Sequence, residues 1–329
     1  MIENATLMAR VRSHLKAHAH EWGLDAADPS VDPILNWGGF VNRSFRVSDC
    51  RTSVFLKLAS DSGVKQGLGR WRQQAEVLAD SYHAPRMLGW LEIDAGSFCG
   101  PVFEWIEGGQ AAGLDGALGV EMSRVIQDLH ADAELHAWLA HADGGAQTCA
   151  HAYLRTYHDR FVEDLAFVEA DPPPFVGPDR LDRMRSEVVL LEKKVLRSAP
   201  FQEPADRPVH GDLWLNNTLV DSAGRWYLLD WDGLSLGDPV ADWAMLFGPS
   251  RERPQPATEG VVLSHTILSP AERQRLSVYA RASLLDWVID PLADWVQAGS
   301  EPEHGAQVRM ANERTHDRAW QLYQSLHGR

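Results

Sequence analysis

A chain of 329 residues, 44% hydrophobic and 23% charged, can bury two separate cores and has the composition of an ordinary globular protein. Its formal net charge of −15 speaks against nucleic acid as the main ligand, because phosphate backbones are gripped by basic surfaces. The same charge suits a cationic small molecule, or simply keeps the surface soluble.

In chain order, residues 1–20 read as an amphipathic helix without the uninterrupted apolar core of a signal peptide. Gly38-Gly39 opens a strand-like stretch, in which Arg43 to Ser48 and Ser53 to Leu58 alternate around the turn Asp49-Cys50-Arg51. Residues 65–80 look helical. The apolar runs Met87 to Leu91 and Phe98 to Trp105 follow as strands, and Glu107-Gly108-Gly109 interrupts the regular structure. Helices are expected over 117–131, 148–169 and 178–197, with Asp171-Pro172-Pro173-Pro174 breaking the chain between the last two. A strand-rich stretch spans 207–231. Helices return from 239, one of them opened by the capping box Ser269-Pro270-Ala271-Glu272. The pattern predicts an α+β protein with a small β-rich N-lobe, residues 1–105, joined by one short connection to a larger, mainly helical C-lobe, residues 106–329. No apolar stretch is long enough to span a membrane, and Cys50, Cys99 and Cys149 form neither a disulfide framework nor a zinc pattern. A cytoplasmic location without membrane attachment is therefore expected.

The chemistry concentrates between Val209 and Asp230. A strand ending at His210 leads into a loop that displays Asp212 and then Asn217. Thr218-Leu219-Val220 and Trp226-Tyr227-Leu228-Leu229 read as two strands joined by the hairpin turn Asp221-Ser222-Ala223-Gly224. Arms of about equal length return Asp230 to the level of Asn217. An amide oxygen and a carboxylate side by side are hard ligands suited to Mg2+. Phosphoryl transfer needs cations to neutralise the phosphates and a carboxylate, here Asp212, to orient and deprotonate the attacking hydroxyl. The competing reading is a metal-free loop whose aspartates cap helices and turns. Each residue alone fits that reading; the full set at this spacing fits it poorly.

The ordered set His210-Gly211-Asp212, Asn217, Leu229-Asp230-Trp231, Gly237-Asp238-Pro239 and Asp242-Trp243-Ala244 resembles the catalytic and metal-binding loops of the aminoglycoside phosphotransferase and choline kinase family. The resemblance implies a two-lobed protein-kinase-like fold, with ATP or GTP and Mg2+ as cofactors. Asp212 then resembles the catalytic aspartate, and Asn217 and Asp230 the metal ligands. His210 is expected to support the loop rather than carry protons. Asp238, placed before Pro239, and Asp242 are expected to act as struts, the first by capping a helix. Asp232 is either a spare acid near the metal or a loop residue.

The N-lobe agrees through weaker signals. The chain has only five lysines against 26 arginines, and Lys57 sits inside the apolar strand Val54-Phe55-Leu56-Lys57-Leu58. Such a lysine must find an anion or face water from an edge strand. The resemblance makes it the lysine of the α- and β-phosphates, with Glu76 of the following helix as its partner. Gly38 and Gly39 are placed to cover the phosphates with backbone N–H groups. Phe103-Glu104-Trp105-Ile106-Glu107-Gly108 resembles the family's interlobe hinge, where the Glu104 carbonyl and Ile106 N–H would meet the base. Leu129-His130 also fits the family, with His130 structural.

Gly237-Asp238-Pro239 follows Asp230 closely and leaves no room for the activation segment of a protein kinase, so a small hydroxylated acceptor is expected. Asp286, Asp290 and Asp294 recur at helical spacing and form an acidic stripe if the helix survives Pro291. The stripe either borders a cationic acceptor or is a solvated face. Thirteen tryptophans also permit a cation–π cage, without marking its residues. The rival to an active kinase of an aminoglycoside-like antibiotic, choline, a sugar or a related metabolite is a silent nucleotide-binding module acting through protein partners. Its mark would be loss of Lys57, Asp212, Asn217 or Asp230, and all four are present.

Overall fold

A computed structural model describes residues 4–24, 29–34, 42–114, 116–143, 147–248, 268–300 and 305–327. The chain divides into two compact units, the first made of Met1–Gly109 with Leu219–Asp232 and the second of Gln110–Thr218 with Gly233–Arg329.

In the first unit, α1 (Asn4–His18) precedes a five-stranded antiparallel sheet. Its strands are β1 (Ser30–Ile34), β2 (Asn42–Ser48), β3 (Ser53–Ala59), β4 (Met87–Ile93) and β5 (Phe98–Glu104), in the order β1-β2-β3-β5-β4. The alternation read in the sequence holds β2 and β3 in register, with Ser44 opposite Lys57 and Val47 opposite Val54. β1 carries Pro33, which is tolerated because this strand is at the sheet edge. Leu7, Val11 and Leu15 of α1 join Val47, Val54, Leu56, Leu91 and Val102 in one buried cluster. By the usual area scale, each such side chain contributes about 1.5–3 kcal/mol of burial free energy.

The single helix expected over 65–80 is two helices, α2 (Ser62–Gln73) and α3 (Ala75–Tyr82), because Gln74 leaves the helical region at φ −111° and ψ 11°. Asp61 caps α2 by accepting from the Gly63 and Val64 N–H groups. Glu107-Gly108-Gly109 does not end regular structure, as the glycines suggested. Gly108–Gln110 forms β6, the edge of a three-stranded sheet in which β8 (Thr218–Asp221) lies between it and β9 (Trp226–Leu228). The glycine is needed there, since a β-carbon on Gly108 would stand 2.5 Å from the Val220 carbonyl oxygen. Leu228 N–H also donates to the His83 carbonyl. These contacts bring Leu219–Asp232 into the first unit, correcting the expectation that all of 106–329 forms one helical lobe.

The second unit is mainly helical. It contains α4 (Gly116–Ala131), α5 (Ala133–Asp143), α6 (Cys149–Tyr153), α7 (Asp159–Ala170) and α8 (Pro178–Arg197). A π turn, Leu154–His158, links α6 to α7. β7 (Arg207–Val209) pairs antiparallel with β10 (Ser235–Gly237), and α9 (Pro239–Leu246) follows. α10 (Pro270–Gln297) starts from the full capping box at Ser269 and Glu272 and continues through Pro291. It packs on α7, α9 and the last described helix, α11 (Gly305–His327). Among the described residues no helix is long and apolar enough to cross a membrane.

Candidate functional site

Lys57 lies in the central strand β3, and its side chain is only 5% exposed. Its ammonium donates to Asp230 at 2.5 Å and to Asp232 at 3.0 Å. Burial alone would lower its pKa, but the two carboxylates outweigh burial and raise it above the ordinary lysine value, so the group stays charged. Both acids follow β9. Asp230 adopts left-handed backbone, φ 61°, and Trp231–Gly233 then forms a 3-10 turn. Trp231 anchors that turn by burying its ring and donating from Nε1 to the Leu228 carbonyl at 2.8 Å.

Glu76, expected as the partner of Lys57, is not in this cluster. The break at Gln74 restarts the helix, and α3 buries Leu78 and Tyr82 while Glu76 is exposed. Glu104 ends β5 with its N–H on the Arg86 carbonyl and its carboxylate on the Arg86 N–H. Ile106 is half-buried in the Trp105–Glu107 link between β5 and β6. Gly38 and Gly39 lie outside the described residues.

In the second unit, the loop after β7 is built around a buried carboxylate. Asp242, in the first turn of α9, accepts from the His210 N–H at 2.9 Å, the Gly211 N–H at 3.0 Å and His130 Nε2 at 2.9 Å. Burial pushes this carboxyl pKa up, but the His130 hydrogen bond, the imidazole charges and the Gly211 N–H outweigh it, and the net shift is downward. Asp242 is therefore held ionised, with its oxygens spent on the loop.

Gly211 has φ 81°, and a β-carbon there would stand 2.4 Å from the Gly233 carbonyl oxygen. Only glycine fits that crossing. The Asp212 N–H donates to His210 Nδ1 at 3.2 Å. That contact ties the ring into the loop, which makes His210 a loop brace. Asn217, closing the 3-10 turn Leu215–Asn217, donates from Nδ2 to the Asp212 carbonyl at 2.9 Å and to Asp212 Oδ2 at 2.8 Å. These bonds use the amide nitrogen, and the amide oxygen is a hard atom of the kind a cation takes.

Asp238 caps α9 through the Val240 N–H at 3.2 Å and lies 2.8 Å from Arg275 Nε. Burial raises its pKa against the pull of Arg275. On α10, Asp286 forms an ion pair with Arg160 of α7. Asp286 and Asp294 are buried and Asp290 is half-buried, so the stripe is not a solvated face. Burial, aided by the charge of Asp290, raises the Asp286 pKa despite Arg160, and burial pushes Asp164 up to about 6. Trp287 of α10 meets Trp214 of the Asp212 loop edge-to-face, with ring centroids 5.8 Å apart.

Sequence reading did not foresee Asp232 as a lysine partner, Arg160 opposite Asp286, or the Asp238–Arg275 pair. The only local signal was the spacing of Asp230 and Asp232. The other partners are brought together by long-range folding.

A family model described as "Phosphotransferase enzyme family" matches residues 34–278. No curated protein sequence matches the chain. Similar solved structures include an aminoglycoside 2''-phosphotransferase with GDP and kanamycin, at 14% identity and TM-score 0.60, covering 92% of this chain and 98% of that one. Another is a Plasmodium vivax ethanolamine kinase, at 13% identity and TM-score 0.58, covering 98% and 90%. A spectinomycin phosphotransferase with ADP and spectinomycin follows at 12% identity and TM-score 0.58, covering 95% and 97%. These likenesses show the fold, a protein-kinase-like α+β architecture.

Proposed function

We propose, on the premise that the chain belongs to the phosphotransferase enzyme family, that it is a kinase moving the γ-phosphoryl group of ATP or GTP to a hydroxyl of a small molecule. The observation that carries this reading is the Asp212–Asn217 pair on a loop fixed by Asp242. One side chain is a carboxylate able to take a proton. The other holds it in place and is itself a hard-oxygen ligand.

The residues suit a nucleotide and Mg2+. Lys57 is a buried cation whose charge is secured, as an α/β-phosphate contact requires. Asp230, with 40% of its side chain exposed, and the Asn217 amide oxygen are ligands of the right hardness. When bound, Mg2+ would neutralise phosphate charge. Gly38, Gly39, the Glu104 carbonyl and the Ile106 N–H complete the nucleotide contacts in this reading.

Asp212 orients the acceptor hydroxyl and receives its proton as the new O–P bond forms and the bond to the nucleoside diphosphate breaks. Asn217 keeps the carboxylate from rotating away. His210, Asp238 and Asp242 hold the loop and α9 without touching the reacting atoms.

For the acceptor, half-buried Asp290 of α10, more than Asp286 whose charge Arg160 already balances, favours a cationic molecule such as an aminoglycoside-like amine or choline over a neutral sugar. The test is nucleoside diphosphate release with MgATP and MgGTP across a panel of amino-sugars, quaternary amines and neutral sugars. Turnover stimulated by a cation is the expected result. If Asp286→Asn and Asp290→Asn leave the acceptor KM unchanged, the acidic stripe has no part in acceptor binding.

A further inference from the structure

The buried ammonium of Lys57 has two carboxylates, and they are not equivalent. Asp230 has 40% of its side chain exposed, Asp232 only 20%. The backbone of Asp232 is also approached closely by α2, at Gly67. A β-carbon on Gly67 would stand 2.3 Å from the Asp232 carbonyl oxygen. On the chain side, Trp231 is buried and hydrogen-bonded to the Leu228 carbonyl. Asp232 is thus clamped between a helix and an anchored turn, while Asp230 sits at the accessible end in left-handed backbone.

A carboxylate that serves a cation cannot give the same oxygen to a lysine. Were Asp230 engaged by a metal-bound nucleotide, Lys57 would lose its 2.5 Å partner, and Asp232 would remain to hold the ammonium toward the phosphates and to balance it when they leave. Glu76 is exposed on α3 and is not in contact with Lys57.

We propose that Asp232 is the positioning residue of Lys57, keeping the ammonium aimed and charge-balanced through the nucleotide cycle in place of a helix glutamate. The inference rests on the kinase reading above for the role of Lys57, but the Lys57–Asp232 pairing can be tested without it.

The first experiment is a double-mutant cycle on the nucleotide-free protein, with Lys57→Met, Asp232→Asn and the double variant followed by thermal unfolding. The double variant is expected to lose clearly less Tm than the two single losses added together. Additive losses would overturn the pairing. The second measures nucleotide dissociation constants by calorimetry, with and without Mg2+. Asp232→Asn is expected to weaken MgATP or MgGTP by about tenfold, the scale of one charge-assisted hydrogen bond. Nucleotide KM should rise while acceptor KM stays put, and Asp232→Glu should recover part of the loss. A larger loss from Glu76→Gln than from Asp232→Asn would overturn the proposal. If the wild type binds neither nucleotide, the kinase reading fails, while the unfolding cycle still decides whether Asp232 holds Lys57.

Discussion

The two units each hold a buried charge, and they hold it differently. In the first, Lys57 is balanced by side chains alone, two carboxylates from one short turn. In the second, Asp242 is balanced largely by backbone, with two loop N–H groups and one imidazole. Side-chain partners can be exchanged when a ligand brings competing charge. Backbone donors cannot leave without unfolding the loop. The first arrangement suits a group that must handle phosphates, the second a carboxylate that must stay still for a proton transfer.

This contrast can be broken in graded ways. The largest effect belongs to Asp212→Ala, which should lower kcat by about a thousandfold, within the usual range for a general base. Nucleotide affinity should remain, since Asp212 is not a phosphate contact in this scheme. Wild-type turnover in the variant would end the base assignment.

Next comes Asp242→Ala, which strands the His210 and Gly211 N–H groups and His130 in a buried site. It should cost about 3 kcal/mol of stability, read by urea unfolding. A loss under about 1 kcal/mol would mean that water replaces the carboxylate and the loop is not backbone-pinned.

The smallest effect is a pH slope. Burial raises the Asp164 pKa to about 6, above the ordinary aspartate value, so the folded state holds a proton that the unfolded chain releases at lower pH. Its protonated form adds stability fully below the unfolded value, and this is lost as pH rises toward about 6. The fall should be on the order of 1 kcal/mol, because the group is partly solvated. Asp164→Asn should flatten it. Asp286, also shifted upward, adds to the slope and is separable by Asp286→Asn.

Much of the site was legible because it is local in sequence. The Asp221 hairpin turn, the capping box at Ser269 and the loop from His210 to Asn217 are written within a few residues of one another. The helix at Pro178–Arg197 carries its own start and stop. What local pattern could not reveal depends on residues far apart. Lys57 meets Asp232 across 175 positions, and Asp286 meets Arg160 across 126. The break at Gln74 was equally hidden, since no proline or glycine marks it. β6 was missed because Gly108-Gly109 looks like punctuation, when Gly108 is there for close approach to Val220.

One further consequence follows from the left-handed backbone at Asp230, φ 61°. An L-residue there stores roughly 1–2 kcal/mol of strain, which glycine would release. Glycine would also take away the 2.5 Å partner of the buried Lys57 ammonium, and that loss outweighs the strain released. The position is therefore held by its side chain against its backbone preference, so Asp230→Asn, which keeps the fold of the turn but not the charge, separates the two contributions.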